Sequence, residues 1–479
     1  MKVMSVKRPR IAIIGGGISG LAAANRLLEL SAARAVKPEL TLIEARERAG
    51  GVINTLRSDD LLIETGPDAF ISAKPWAVAL AQRLGLEDRL IRTNPQHRRS
   101  FIVREGRLRP IPQGFHLLAP IRLWPFFASD IISWPGKARM ALDLLLPRPR
   151  AKEDESLASF VRRRFGREAL ERIAQPLIGG IYTADPERLS LKATMPLLLE
   201  MEREHRSLIL AMRKRGQANG AASGARYDLF ISFQDGMQTI VERLVERLPQ
   251  NAIRLRTEAC GLRFDAPKQQ WQIMTTRGTI FADAICLALP APQAARVLGE
   301  FDGELAADLR SITYASAATI NLAYRRAAIR HPLDGFGFVV PAIERRAIIA
   351  CTFSSVKFAG RAPEGVALLR AFVGGALQPE KLALDDGELL ELTRHDLEEL
   401  LAIESAPIFA HVARLPHSMP QYQLGHLDLI ERVRRRLSAY PSLQLAGNAY
   451  EGVGIPDCIR SGESAAERIL EYLSQQMGS

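Results

Sequence analysis

The chain contains few cysteines and no long hydrophobic run. Its four cysteines lie far apart and form no C-x-x-C pair, a pattern that favours reduced, packed thiols in a cytosolic protein over a disulfide framework. The eight histidines show no metal-ligand spacing, so we expect no metal site. No stretch of about 18 to 20 apolar residues is present, which argues against a membrane-spanning helix. Residues 1–10 are polar and basic and lack the apolar core of a signal peptide, so the predicted location is the cytoplasm.

Basic residues outnumber acidic ones. Lysine and arginine total 64 against 53 aspartate and glutamate residues, which gives a net charge of +11. The basic residues are dispersed and form no stripe with aromatic residues, so we expect an anionic small ligand or an anionic membrane surface and no nucleic-acid partner. A chain of 479 residues is too long for one ordinary core and should form several domains.

A glycine-rich turn near the amino terminus is the strongest motif. The apolar run 11–14 predicts a buried strand, and Gly15, Gly17 and Gly20 follow with the spacing G-x-G-x-x-G before a helix-forming stretch at 21–30. In dinucleotide-binding units the first glycine makes the tight turn, the second lets a pyrophosphate approach, and the third lets the helix pack on the strand. A glycine turn alone can be purely structural. Strand, turn and helix in this order favour dinucleotide binding, with the phosphates at the helix amino terminus.

The next segment indicates which dinucleotide is bound. A second apolar run at 40–43 ends in Glu44, which lies at the sequence distance expected for a ribose-binding acid. Arg48, Gly50 and Gly51 follow at once, and a nicotinamide domain has no need for two glycines there. A flavin has that need, because its ribityl chain and ring run back over this loop and require close approach of the backbone. The alternative is a glycine turn with solvated arginines.

Later segments predict that this domain is assembled from separated parts of the chain. Alternating strands between 253 and 281 precede a buried run at 284–289, and a strand at 443–445 leads through a glycine-containing loop to a helix at 461–472. A second β-rich region spans 313–375. We therefore predict an α/β fold with a Rossmann-like FAD-binding domain, a β-rich substrate domain and a helical domain. The predicted boundaries are 1–95, 228–300 and 432–479 for the FAD-binding domain, 96–110 and 301–431 for the substrate domain, and 111–227 for the helical domain.

The stretch 115–149 is dense in aromatic and aliphatic side chains, and prolines divide it into short helices. Core packing of a helical domain explains such a density. The alternative is a membrane-surface patch, through which the protein would make peripheral contact with the cytoplasmic face of a membrane.

These motifs resemble the oxygen-dependent, flavin-containing protoporphyrinogen oxidases, a branch of the monoamine oxidase and phytoene desaturase superfamily to which bacterial coproporphyrinogen III oxidases are related. The resemblance covers nearly the whole chain. The segments that carry it are 15–21, 44–51, 64–70, 106–110, 179–182 with 185–186, 335–337, 372–375 and 446–462.

The resemblance implies non-covalent FAD as the cofactor and no catalytic side chain, because the flavin N5 carries the chemistry. Ala259 would contact the adenine through its backbone, and the flavin ring would lie near Gly66, Pro67 and residues 453–455. The predicted cofactor-binding residues are Gly15, Gly17, Ile18, Ser19, Gly20, Glu44, Ala45, Arg48, Gly50, Gly51, Gly66, Pro67, Asp68, Ala259, Gly447, Val453, Gly454 and Ile455.

The resemblance also implies a substrate pocket, with two departures from the mitochondrial members. Those members carry a propionate-binding arginine where this chain has Ser100, so Arg98, Arg99 and Lys74 become the candidate carboxylate contacts. Thr352 stands where they have a leucine and makes the pocket wall more polar. The predicted substrate-binding residues are Lys74, Arg99, Ser100, Gly180, Val339, Thr352 and Phe372.

The implied function is the oxidation of a porphyrinogen to a porphyrin in haem biosynthesis, with six electrons passed to three O2 and release of H2O2. Protoporphyrinogen IX is the favoured substrate, and coproporphyrinogen III is the alternative. Two further alternatives remain. One is an amine oxidase or carotenoid desaturase of the same fold, and the other is a non-catalytic flavoprotein. The implied partners are the porphyrinogen, O2 and ferrochelatase, which would receive the product.

Overall fold

The computed structural model describes residues 8–33, 37–112, 115–116, 119–120, 123–147, 154–218 and 230–478. Parts of the aromatic stretch at 117–118, 121–122 and 148–149 lie outside these residues. Helices and sheets alternate through the chain, which confirms the predicted α/β class. The domain boundaries stay predictions.

A five-stranded parallel sheet carries the glycine turn. Its strands come from both ends and the middle of the chain. The first strand pairs with one neighbour through Ile13↔Leu42 and with the other through Ile13↔Cys286. Side chains alternate between the two faces: Ile13 packs with helices Ile18–Ala33 and Ile455–Gly478, and Ile14 packs with a three-stranded sheet on the other side. In spatial order the strands are Ile253–Arg254, Glu39–Ile43, Arg10–Ile14, Ala284–Leu287 and Leu443–Leu445. The strands of the covering sheet are Ala259–Asp265, Gln270–Thr275 and Gly278–Ala282.

A seven-stranded, mainly antiparallel sheet forms the second β region. One face packs on the helix Asp386–Leu401 through residues such as Leu369, Phe353 and Leu397. The other face carries a mixture of polar and aromatic side chains and turns toward the glycine loops. In spatial order the strands are Phe409–Pro420, Tyr314–Arg325, Val366–Gly374, Ile348–Phe353, Gly337–Val339, Phe101–Arg104 and Arg107–Pro110.

A group of short helices occupies the segment between 123 and 218 and has its own core, with Phe160, Phe165 and Leu198 at its centre. Arg164 is fully buried there and pairs with Asp143 and Glu202. Ordinary helical segments are Leu123–Ala128, Trp134–Ala141, Leu157–Phe165, Arg167–Ala169, Gln175–Tyr182, Leu191–Thr194, Pro196–His205 and Leu208–Ala218, with a π-helical turn at Leu170–Ala174.

Smaller elements connect these parts. The remaining strands are Thr55–Ser58, Leu61–Glu64, Phe70–Ile71, Leu90–Arg92, Phe115–His116, Ala119–Pro120 and Phe230–Phe233. The remaining α-helices are Trp76–Arg83, Gln238–Glu246, Ala291–Leu298, Gly303–Arg310, Ser354–Lys357 and His426–Leu437, and short 3-10 turns lie at Glu87–Arg89, Pro95–His97, Leu142–Leu144, Arg326–Ala328, Ala342–Glu344 and Pro379–Ala383.

The last helix begins earlier than the sequence predicted. It starts at Ile455, inside the segment expected to be a loop, and not at residue 461. Pro456 suits the first turn of a helix, because its fixed φ is helical and it lacks only an N–H that would have no partner there. The helix amino terminus therefore lies directly after Val453 and Gly454.

Candidate functional site

The glycine turn is tightly packed at two positions and open at the third. Gly15 has φ +108°, and a Cβ added there would lie 2.3 Å from the carbonyl oxygen of Ala288. A Cβ on Gly20 would lie 1.9 Å from the carbonyl oxygen of Gly15, so the helix packs closely on the strand. A Cβ on Gly17 would meet no atom within 4 Å. The turn thus has the spacing of a dinucleotide loop, with empty space at the position where the pyrophosphate is expected.

The first helix begins at Ile18, next to this open position. Ile18 and Ser19 are buried, and the Leu21 amide already donates to the Gly17 carbonyl at 2.9 Å. The amides of the first turn and the positive end of the helix dipole therefore lie beside the open space. This is the arrangement that binds a phosphate group.

Glu44 is fixed at the end of the neighbouring strand. It is buried, and one carboxylate oxygen accepts from the Gly16 amide at 2.7 Å, while the other accepts from the Arg46 amide at 2.9 Å. Ala45 beside it is exposed. Backbone hydrogen bonds from Thr257 to the Glu44 carbonyl bring the segment before the buried Ala259 to the same end of the sheet. The acid and the predicted adenine contact therefore lie together.

The second glycine pair closes on the first turn. Gly50 has φ +108°, and its amide donates to the Gly16 carbonyl at 2.7 Å. A Cβ on Gly51 would lie 3.2 Å from the Cα of Gly17. The Arg48 guanidinium donates to the Ile53 and Gly51 carbonyls, at 3.0 Å each, and burial lowers its pKa. Arg48 therefore shapes the loop through backbone contacts.

A third loop, which we call the Gly66–Asp68 loop (residues 66–68), packs on the second. A Cβ on Gly66 would lie 1.8 Å from the Val52 carbonyl oxygen, so only glycine allows this contact. The Asp68 carboxylate pairs with Lys357 at 2.8 Å and lies 3.6 Å from the Arg370 guanidinium. Burial raises the pKa of Asp68, but these two cations outweigh that effect and hold the pKa at about 2. Asp68 is therefore held as an anion between two cations.

The carboxyl-terminal loop comes to the same place. The Gly447 amide donates to the Ser461 hydroxyl at 3.1 Å, and a Cβ on Gly462 would lie 2.1 Å from the Ser19 carbonyl oxygen. The last helix therefore packs closely on the first, and Val453 and Gly454 directly precede its amino terminus.

The sequence analysis missed Tyr422, which holds this loop. Its buried hydroxyl donates to the Asn448 carbonyl at 2.6 Å and accepts from the Gly452 amide at 2.7 Å. No local sequence signal identifies this contact, because Tyr422 precedes the loop by a helix and a strand.

Predicted substrate residues lie on one face of the seven-stranded sheet. Val339, Thr352 and Phe372 are each half-buried between buried neighbours, and Val339 and Phe372 both pair with Ala350. A Cβ on Gly180 would lie 3.8 Å from a methyl group of Val339. The structure therefore brings Gly180 to the wall formed by these strands.

The predicted carboxylate contacts already have protein partners. Lys74 pairs with the buried Asp457 at 2.6 Å, on the last helix. Arg99 forms an ion pair with Asp334 and is about half exposed. The backbone carbonyl of Ser100 accepts a hydrogen bond from the Ile111 amide. A contact of these side chains with substrate stays a prediction, and Lys74 could make one only by sharing or leaving Asp457.

The aromatic stretch divides between core and surface. Phe126 and Ile131 are buried in the core of the helical segment, whereas Trp124 is 81% exposed, Trp134 68% and Leu145 75%.

Among the described residues no helix has the length and apolarity to cross a bilayer, and the same part of the chain contains no cluster of potential metal ligands.

Comparisons with known proteins match nearly the whole chain. The family model described as "Flavin containing amine oxidoreductase" matches residues 18–470. The coproporphyrinogen III oxidase of Bacillus subtilis (strain 168) is 36% identical over 473 residues, which cover 98% of this chain and 100% of that protein. The chloroplastic protoporphyrinogen oxidase of Nicotiana tabacum is 29% identical over 97% of this chain and 86% of its own length. A crystal structure of a protein from Exiguobacterium sp. 255-15 superposes with a TM-score of 0.85 at 33% identity, covering 97% of this chain and 99% of that one.

Proposed function

We propose that this chain, which belongs to the flavin-containing amine oxidoreductase family, oxidises coproporphyrinogen III to coproporphyrin III. The chain is an FAD-containing porphyrinogen oxidase. The observation that carries the choice of substrate is the 36% identity, over essentially both full lengths, to a relative named coproporphyrinogen III oxidase. Protoporphyrinogen IX, which the sequence favoured, becomes the second candidate. The relatives named protoporphyrinogen oxidase are less similar to this chain than the Bacillus subtilis enzyme is.

The residues present fit FAD. Gly17 leaves room for a pyrophosphate, the buried Glu44 can accept from a ribose hydroxyl, and Gly51 and Gly66 let the neighbouring loops pack closely beside this space. When bound, FAD supplies the acceptor for hydrogen removed from the substrate. The amino terminus of the helix Ile455–Gly478 would favour the negative charge that accompanies reduction.

The protein's own contribution is to orient the macrocycle and exclude water. Each C–H bond broken in a porphyrinogen leads toward an aromatic product, so little acid–base assistance is needed once the substrate is placed. Gly180, Val339 and Phe372 would form an apolar wall against the tetrapyrrole face, and Thr352 adds a hydroxyl at its edge. Asp68 would serve as a fixed anion beside the loop, because its two cations keep it ionised.

We propose O2 as the electron acceptor, with transfer of the product to ferrochelatase. Conversion of a porphyrinogen to a porphyrin removes six electrons and six protons, so three O2 become three H2O2. Steady-state assays with both porphyrinogens should give the higher kcat/KM for coproporphyrinogen III, with three H2O2 formed per porphyrin. A preference for protoporphyrinogen IX would contradict the substrate assignment. Turnover of amines or carotenes alone would contradict the function.

We also propose a peripheral membrane contact through Trp124, Trp134 and Leu145. Exposed tryptophans on a chain with a net charge of +11 suit an anionic lipid surface. The double variant Trp124→Ser/Trp134→Ser should sediment less with phosphatidylglycerol vesicles than the wild type. Leu424→Ser, which removes an exposed leucine elsewhere, should sediment normally. Equal sedimentation of all three proteins would contradict the contact.

A further inference from the structure

We propose that Arg370 is a positioning residue that fixes the Gly66–Asp68 loop, and hence the flavin, against the substrate-facing strand. Its side chain is almost completely buried. The guanidinium donates to the Gly66 carbonyl and lies 3.6 Å from the Asp68 carboxylate. It also lies 4.7 Å from the centre of the Phe372 ring. One side chain therefore contacts the predicted cofactor loop and a predicted wall of the substrate pocket.

The position of Arg370 in its strand explains this double contact. Arg370 and Phe372 are two residues apart in the strand Val366–Gly374, so both point to the same face of the sheet. Arg370 also pairs across the sheet with Thr352, another predicted substrate residue. The arginine thus lies between the pocket wall and the loop.

Further hydrogen bonds to backbone carbonyls of the loop and of the preceding residue hold the loop in place beside Arg370. The Thr319 hydroxyl donates to the Thr65 carbonyl at 3.0 Å, and the Ser232 hydroxyl donates to the Asp68 carbonyl at 2.8 Å. Lys357 pairs with the other oxygen of the Asp68 carboxylate. A buried guanidinium is tolerated only when it is paired, and here Asp68 and the Gly66 carbonyl are its partners.

A shift of this loop would reach the rest of the cofactor site. Gly66 packs directly on the Val52 carbonyl, and Val52 follows Gly51, which lies against Gly17. Arg370 does not need to touch the reacting atoms to affect them. It acts by setting the position of Gly66 and Pro67 relative to Phe372.

The test uses Arg370→Met, which keeps a long unbranched side chain and removes the hydrogen bond to Gly66 and the charge. We expect the Kd of the apoprotein for FAD to rise at least tenfold, as measured by quenching of flavin fluorescence. Flavin that is still bound should show shifted visible absorption bands and reduction potential, and kcat should fall more than KM rises. Arg164→Met removes an equally buried, ion-paired arginine in the helical segment. It should lower the Tm but leave the spectrum and potential of bound FAD unchanged.

A second variant separates positioning from charge balance. Arg370→Met alone leaves Asp68 paired with Lys357, whereas Arg370→Met/Asp68→Asn removes one charge of each sign and restores the net charge of the wild-type cluster. FAD affinity should not return, because the Gly66 carbonyl still lacks its donor. Wild-type FAD affinity and spectrum in either variant would overturn the inference.

The inference rests on the proposed placement of FAD beside Gly66 and Pro67. Its failure can be told apart from failure of the proposed function, because FAD binding and spectra are measured without a porphyrinogen. A wild-type enzyme that oxidises coproporphyrinogen III while Arg370→Met binds FAD normally would remove only the role of Arg370.

Discussion

Replacing Gly17 by valine should weaken FAD binding strongly and leave the fold of the apoprotein intact. A Cβ at this position meets no atom within 4 Å, and the backbone of Gly17 is not left-handed, so valine is accommodated without ligand. The branched side chain would project into the space expected to hold the pyrophosphate. Overpacking of this kind costs about 1–3 kcal/mol or more, which corresponds to a loss of affinity of roughly 5- to 150-fold.

The assay combines FAD occupancy after purification with the Tm of the apoprotein. At a free FAD concentration about 100 times the wild-type Kd, the wild type gains roughly 2.7 kcal/mol from ligand binding, whereas a variant with 5- to 150-fold weaker affinity gains only about 0.3–1.8 kcal/mol. Gly303→Val, at another open glycine, should change neither quantity, whereas Gly20→Ala should lower the Tm because its Cβ would lie 1.9 Å from the Gly15 carbonyl oxygen. Wild-type occupancy in Gly17→Val would refute the reasoning, as would a fall in apoprotein Tm as large as that of Gly20→Ala.

Three further predictions follow from the site. Acid denaturation should release FAD into the supernatant, because burial raises the pKa of the Cys458 thiol to about 12 and leaves no thiolate for a covalent link; flavin retained in the pellet would contradict this. Arg99→Ala should raise KM more for coproporphyrinogen III, with four carboxylates, than for protoporphyrinogen IX, with two; equal increases would show that Arg99 does not discriminate. Burial raises the pKa of Glu64 to about 7 from 4.5, so between these pH values the folded state keeps a proton that the unfolded state releases. The unfolding free energy should therefore fall by on the order of 3 kcal/mol as pH rises through this window and then level off. Urea unfolding of Glu64→Gln should lack this component of the pH dependence; the glutamine carbonyl can still accept from the Met237 amide, and its NH2 group can donate to the Thr55 hydroxyl.

Local motifs made much of the cofactor site predictable. The spacing of Gly15, Gly17 and Gly20 is set by a single turn, and Glu44 ends the adjacent strand. A short window of sequence is therefore enough to predict this part of the cofactor site. The structure places these residues together as the motif requires. The roles of the individual residues in binding stay predictions.

Contacts between distant segments were not predictable in the same way. Arg370 meets Gly66 across 304 residues and Lys74 meets Asp457 across 383, and each contact depends on strand register and packing that no window of sequence shows. A signal for Arg370 was present, because an arginine inside an otherwise apolar strand needs a buried partner. The identity of that partner required the structure.

Because the parallel sheet joins strands from both ends of the chain, the site should be completed late in synthesis. The strand Arg10–Ile14 can pair with Glu39–Ile43 early, but Leu443–Leu445 and the loop before Ile455 leave the ribosome last. At about 5–20 residues per second, this separation amounts to tens of seconds during which the first helix lacks the last one as a packing partner. Stalled ribosome complexes that end before residue 447 should therefore not retain FAD, and the nascent chain would expose the apolar side of its first helix to chaperones until the helix Ile455–Gly478 has emerged.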